Sequence, residues 1–142
     1  MKLAVIIPRY LGKPYLGGGL GPKSYDCLGL IISLAEATGH PMPYKWGSWD
    51  RFDYYDRWEA VHISNPLEAF RIIIDFFSAC ARPIEVGRQL AGDLLIVGQE
   101  KGGFFPAFCV GQGMAIAAFT EKGVMVFRLD SVNFVRAAWR LK

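Results

Sequence analysis

With 142 residues, 52% of them apolar and 20% charged, the chain is long enough for one core-bearing domain and too apolar for a disordered one. Its net charge of +3 is small and scattered, which gives no basis for a nucleic-acid partner. Arg136, Arg140 and Lys142 read as a solvated terminus. Three cysteines, Cys27, Cys80 and Cys109, form no even-numbered disulfide framework and fit a reducing compartment. Together with two histidines they show no metal-ligand spacing, and nothing argues for a cofactor.

The segment from Met1 to Arg9 offers five apolar residues before Pro8. That is too short for a signal-peptide core or a membrane span, so synthesis into the cytoplasm is expected. A glycine-rich loop follows from Tyr10. Gly17-Gly18-Gly19-Leu20-Gly21-Pro22-Lys23-Ser24 nearly spells a phosphate-binding loop, but Pro22 stands where the second glycine belongs and has no N–H for a phosphate. The glycines read better as letting backbone pass close to the next helix.

That helix carries the chemistry. Ser24 reads as its N-cap, Asp26 and Cys27 fall in its first turn, and Leu28, Leu30, Ile31, Ile32, Leu34 and Ala35 run until Gly39 and Pro41 end it. A thiol in a first turn feels unpaired N–H groups and the positive end of the dipole, which favour the thiolate. The alternative reading of Cys27 is a small buried hydrophobe.

From His40 to Ser64 the composition turns to proline, tryptophan and charge, with Trp46, Trp49, Tyr54, Tyr55 and Trp58 among acidic residues. A long excursion with a short helix near Arg51 to Ala60 is expected, roofing the core or walling the cysteine. Asn65 then caps a better-signed helix, with Pro66 at its first position, Phe70, Ile73, Ile74 and Phe77 at helical spacing, and Pro83 beyond its end. Cys80 reads as core. The remainder is strand: Leu94 to Val97, Ala107 to Val110, Met114 to Phe119, Val124 to Leu129 and Ala137 to Leu141, with hairpin turns at Gln112-Gly113 and Glu121-Lys122-Gly123. About five strands packed on the Cys27 helix make an α+β domain spanning 1–142.

Three stretches carry a resemblance. Lys13-Pro14-Tyr15 with Gly17-Gly18-Gly19, then Tyr25-Asp26-Cys27-Leu28-Gly29-Leu30, then Gly92-Asp93-Leu94 resemble, in order and spacing, the NlpC/P60 family of cell-wall cysteine peptidases. The resemblance implies a papain-like fold in which the cysteine helix packs on a small antiparallel sheet bearing the catalytic histidine. It implies Cys27 as the nucleophile position, with Tyr25 and Asp26 beside the substrate.

Counting back from Gly111-Gln112-Gly113 places the family's histidine at Phe105 and its third polar residue at Ala117. Leu28 replaces the family's serine. Base and orienter are both missing, and a positioned acid–base typically contributes ~10²–10⁴-fold to a hydrolysis. The expected protein is therefore a degenerate member that binds cell-wall peptide or assembles with phage-tail-like proteins in a virion, and cleaves poorly or not at all. The rival is an active cysteine hydrolase that uses His62 as a non-standard base.

Overall fold

The computed structural model describes residues 2–40, 42, 45–46, 49–50 and 57–141. A short helix α1 (Leu3–Ile6) and a 3-10 turn (Ile7–Arg9) precede the glycine loop, and α2 (Cys27–Ala37) follows it. Strands β1 (Lys45–Trp46) and β2 (Trp49–Asp50) form a small ladder, then come α3 (57–61) and α4 (Pro66–Cys80). The rest is β3 (Ala81–Ile84), β4 (Leu94–Gln99), β5 (Phe104–Gly111), β6 (Met114–Phe119), β7 (Gly123–Arg128) and β8 (Asn133–Leu141). These last six form one sheet in the order β3-β8-β4-β5-β6-β7, antiparallel at every pairing.

Six strands stand where about five are expected from the sequence. The addition is β3, in which Pro83 pairs with Trp139. Pro83 is thus a strand residue, and it is tolerated because β3 is the sheet edge, where a missing N–H breaks no inner ladder. β8 lies between β3 and β4, so it joins β3 to the rest of the sheet. Of the proposed helix near Arg51 to Ala60, residues 57–61 are helical and 51–56 lie outside the described residues.

α2 is buried on almost every side, with Leu28, Leu30, Ile31 and Leu34 fully enclosed. It packs on β5 and β6. Each such aliphatic side chain removed from water contributes roughly 1.5–3 kcal/mol, so this helix is the centre of the core. Strand alternation splits the sheet's apolar residues into two sets. Leu94, Ile96, Phe108 and Ile116 meet the helices, while Leu95, Val97, Ala107, Ala115 and Ala117 form a second cluster with no helix residue in it.

α4 follows the sequence closely. Asn65 accepts the Glu68 N–H at 3.3 Å as its N-cap, Pro66 takes the first position, and Ile73 and Phe77 are buried, as is Cys80 at its end. Asp93 of the Gly92-Asp93-Leu94 motif is buried. Its carboxylate accepts from Arg140 Nε at 3.0 Å and Nη2 at 2.9 Å, and from the Leu90 N–H at 2.7 Å. The motif thus ties the entry of β4 to the end of β8. His40 lies in this neighbourhood, lining a cavity with Asp93 and Arg140 beyond the far end of α2 from Cys27.

Among the described residues, no helix is long and apolar enough to cross a membrane. None of their His, Cys, Asp and Glu side chains form a group of three or more that could hold a metal ion.

Candidate functional site

The cap of the cysteine helix is Asp26 rather than Ser24. Its Oδ1 accepts the Gly29 N–H at 2.6 Å and its Oδ2 the Gly18 N–H at 3.1 Å, while its own N–H donates to the Gly19 carbonyl at 2.9 Å. One carboxylate therefore closes the helix start and ties down the glycine loop, which Ser24, two residues outside, does not reach for. Cys27 follows as the first helical residue. The backbone of Gly19 passes so close to Gly29 that a Cβ at Gly29 would collide with the Gly19 carbonyl oxygen. This is the close approach for which the loop's glycines are suited.

Tyr25 points the other way. It is buried, its ring 5.3 Å from Tyr10, and Ser33 hydrogen-bonds its hydroxyl. Neither Tyr25 nor Asp26 lines the cavity beside Cys27. Both act in holding the loop that delivers the cysteine.

Beside the thiol lies Tyr15 of the Pro14-Tyr15 motif, a residue to which the motif alone assigns no role. Its hydroxyl acts on the thiol, favouring the charged form. Burial pushes the Cys27 thiol pKa well up from 9.0, and the adjacent Asp26 carboxylate pushes it further. Hydrogen bonds from the Leu28 and Cys27 N–H groups and from Tyr15 pull the other way and lose. Burial thus works against the gain in thiolate expected at the helix start. Cys27 retains some exposure as a residue, but its sulfur is enclosed enough for desolvation to dominate.

A stability prediction follows with a definite sign. The thiol pKa is higher folded than unfolded, so at high pH the unfolded chain releases a proton that the folded chain keeps. Stability should be complete below about pH 9 and fall as pH rises above it, with Tyr15, also pushed up mainly by burial, adding a later loss above its ordinary value of 10.0. Denaturant melts of wild type and Cys27→Ala between pH 7 and 10.5 check this: the alkaline decline should be shallower in the variant.

Cys27 opens onto a cavity of about 210 Å³, walled by Trp58, His62, Phe70, Phe104 and Pro106 among others. The structure therefore brings Cys27 and His62 to one cavity. The His62 ring stacks on Trp58 with centroids 4.3 Å apart and planes 17° off parallel. Its Nδ1 lies 3.0 Å from the Glu59 carbonyl. A carbonyl only accepts, so Nδ1 donates and Nε2 is left as the acceptor of the neutral ring. Trp58, one of the excursion's aromatics, is buried and does wall the site. The side chains of Trp46, Trp49, Tyr54 and Tyr55 lie outside the described residues.

Solved structures with this architecture decide the fold. The chain superposes on the NlpC/p60 domain of the peptidoglycan hydrolase SagA with a TM-score of 0.58 at 22% identity, covering 97% of this chain and 95% of that one. It superposes equally, at 0.58 and 19% identity, on an NlpC/P60 family protein from Bacillus cereus ATCC 10987, covering 93% of this chain but only 36% of that longer one. This is the NlpC/P60 fold. No protein-family model and no curated protein sequence matches the chain.

On the NlpC/P60 fold the histidine and third polar residue are expected at Phe105 and Ala117. Here Phe105 borders the cavity, but its ring packs with Phe119 at 5.3 Å and Phe127 at 5.5 Å in the cluster that contains no helix residue. Ala117 lies in the same cluster, fully buried. Phe104, the preceding residue, stacks on Phe70 of α4 at 4.3 Å. Phe104 and Pro106, one on each side of Phe105 and both on the cavity wall, carry no proton to exchange.

Proposed function

We propose that this chain is a cell-wall-peptide-binding domain on the NlpC/P60 fold in which peptide hydrolysis is lost or strongly reduced. The observation that carries the reading is the cavity wall that faces Cys27 from β5, where Phe104, Phe105 and Pro106 offer no acid or base, while desolvation holds the thiol pKa up. A cysteine hydrolase needs a thiolate, a donor for the developing oxyanion and an acid for the leaving amine. Here burial opposes the first, and Phe104, Phe105 and Pro106 on the cavity wall carry nothing that serves as the third. The peptidoglycan hydrolase SagA, whose domain shares the fold, motivates the choice of ligand. The association with phage-tail-like proteins expected from the sequence belongs to the same proposal, and co-sedimentation with induced prophage particles reads it.

The test is calorimetric titration with muropeptides, paired with amine-release assays. Saturable binding that Cys27→Ala preserves, without release of new amine, is the expected result. Amine release by wild type that disappears in Cys27→Ala would overturn the reading.

One observation favours the rival. His62 shares the cavity with Cys27 and holds the tautomer of a base, its Nδ1–H fixed by the Glu59 carbonyl. In that reading Nε2 takes the thiol proton after Cys27 parts from Tyr15. Hydrolysis abolished equally by Cys27→Ala and His62→Ala would establish it.

A further inference from the structure

The cavity beside Cys27 is unusual in what its wall lacks. Among the described residues no Lys, Arg, Asp or Glu lines it, and its only titratable side chains are Cys27 and His62. Two stacked pairs hold its sides: His62 on Trp58, and Phe104 on Phe70 at 26° between planes. Arg136 lies over Phe104, 5.4 Å from the ring centre, but is not part of the wall. Ile73, Ile96 and Ala69 complete an apolar lining.

Size and polarity together narrow the occupant. An apolar cavity of about 150 Å³ accommodates benzene, so the roughly 210 Å³ here suits one six-membered ring with one substituent. Drug-sized ligands fill about 300 Å³ or more, so one ring matches this cavity better than two fused ones. A permanent charge on the ring would meet no counter-ion among the described residues of the wall, which is unfavourable. His62 Nε2, however, makes no hydrogen bond among the described residues, and an acceptor left bare when a ring displaces water weakens binding. A hydroxyl on the ring removes that penalty.

We propose that this cavity binds a single uncharged aromatic ring bearing a hydroxyl, a phenol, with the ring against the Ala69, Ile73 and Ile96 lining and the hydroxyl donating to His62 Nε2. The inference rests on the reading that the site binds rather than cleaves, and it names a subsite within it. The ring comes either from a free small phenol or from a tyrosyl side chain of a bound peptide.

Methyl NMR spectra of Ala69, Ile73 and Ile96 in the full chain follow the occupant directly. Phenol should give saturable shifts with a Kd on the order of 1 mM, benzene should bind several-fold weaker, and benzoate should not saturate by about 10 mM. His62→Ala should weaken phenol to the level of benzene and leave benzene unchanged, while Ala69→Leu, with its spectrum confirming the fold, should abolish both. N-acetyltyrosinamide binding as well as phenol assigns the ring to a peptide; weaker binding assigns it to a free phenol. Absence of saturation with phenol, benzoate binding equal to phenol, or indifference of phenol to His62→Ala would each overturn the proposal. Phenol failing while muropeptide still binds overturns the ring subsite alone, and the reverse pattern overturns the cell-wall ligand alone.

Discussion

Gly29→Ala should destabilise the protein by roughly 3 kcal/mol, against the ordinary trend that Gly to Ala inside a helix stabilises by about 1 kcal/mol. The reason is local and rigid. A Cβ there meets the Gly19 carbonyl oxygen and stands 2.9 Å from Asp26 Oδ1, and neither is the loose end of a flexible side chain. The Gly19 carbonyl already accepts the Asp26 N–H, and Oδ1 already accepts the Gly29 N–H. Relieving the clash therefore means breaking the cap or lifting the loop. For a domain of this length, the melting temperature should fall by about 10 °C. Gly17→Ala, in the same loop but with open space around its Cβ, is the control and should be nearly neutral. A thermal melt in which Gly29→Ala is as stable as wild type would mean that loop and helix do not pack this closely.

Asp26→Asn separates the carboxylate's charge from its cap. Asn can still accept one backbone N–H through its single oxygen, but its amide would face the other N–H donor to donor, costing about 1–3 kcal/mol. Its effect on Cys27 is the sharper readout. Removing the negative charge removes the second cause of the raised thiol pKa, while burial, the first cause, stays. The thiol pKa should move down from wild type yet remain above that of an exposed cysteine. An unchanged alkylation profile in Asp26→Asn would show that the carboxylate does not act on the sulfur.

Much of this was legible from residues alone. Asn65-Pro66 and the Phe70, Ile73 and Phe77 spacing mark α4 because cap, first-turn proline and periodicity agree. The glycine loop and Asp26-Cys27 mark the site because nothing else in the chain mounts a cysteine on a helix start. The failures have tertiary causes. Pro83 reads as a stop, and only the pairing with β8 reveals an edge strand. Ser24 and Asp26 are both good caps, and burial of the carboxylate beside Gly18 decides between them. The direction of the thiol's shift depends on how closely the loop encloses the sulfur, which no local pattern encodes.

The position of Phe105 shows how sheet geometry enters. Alternation along β5 puts Phe104 and Phe108 on the helix side and Phe105 and Ala107 in the far cluster, so Phe105 borders the cavity with its ring turned away. Tyr15 comes beside the start of the cysteine helix only because the glycine loop returns and pairs Tyr15 with Tyr25.

The pH dependence of Cys27 alkylation, resolved from Cys80 and Cys109 by peptide mass spectrometry, tests the neutral-thiol account most directly. Iodoacetamide should modify Cys27 slowly through pH 9, with no plateau near neutrality, and His62→Ala should leave that profile unchanged. Rapid modification with a plateau around pH 7 that collapses in His62→Ala would instead reveal a thiolate–imidazolium pair, and the protein would be a working cysteine hydrolase.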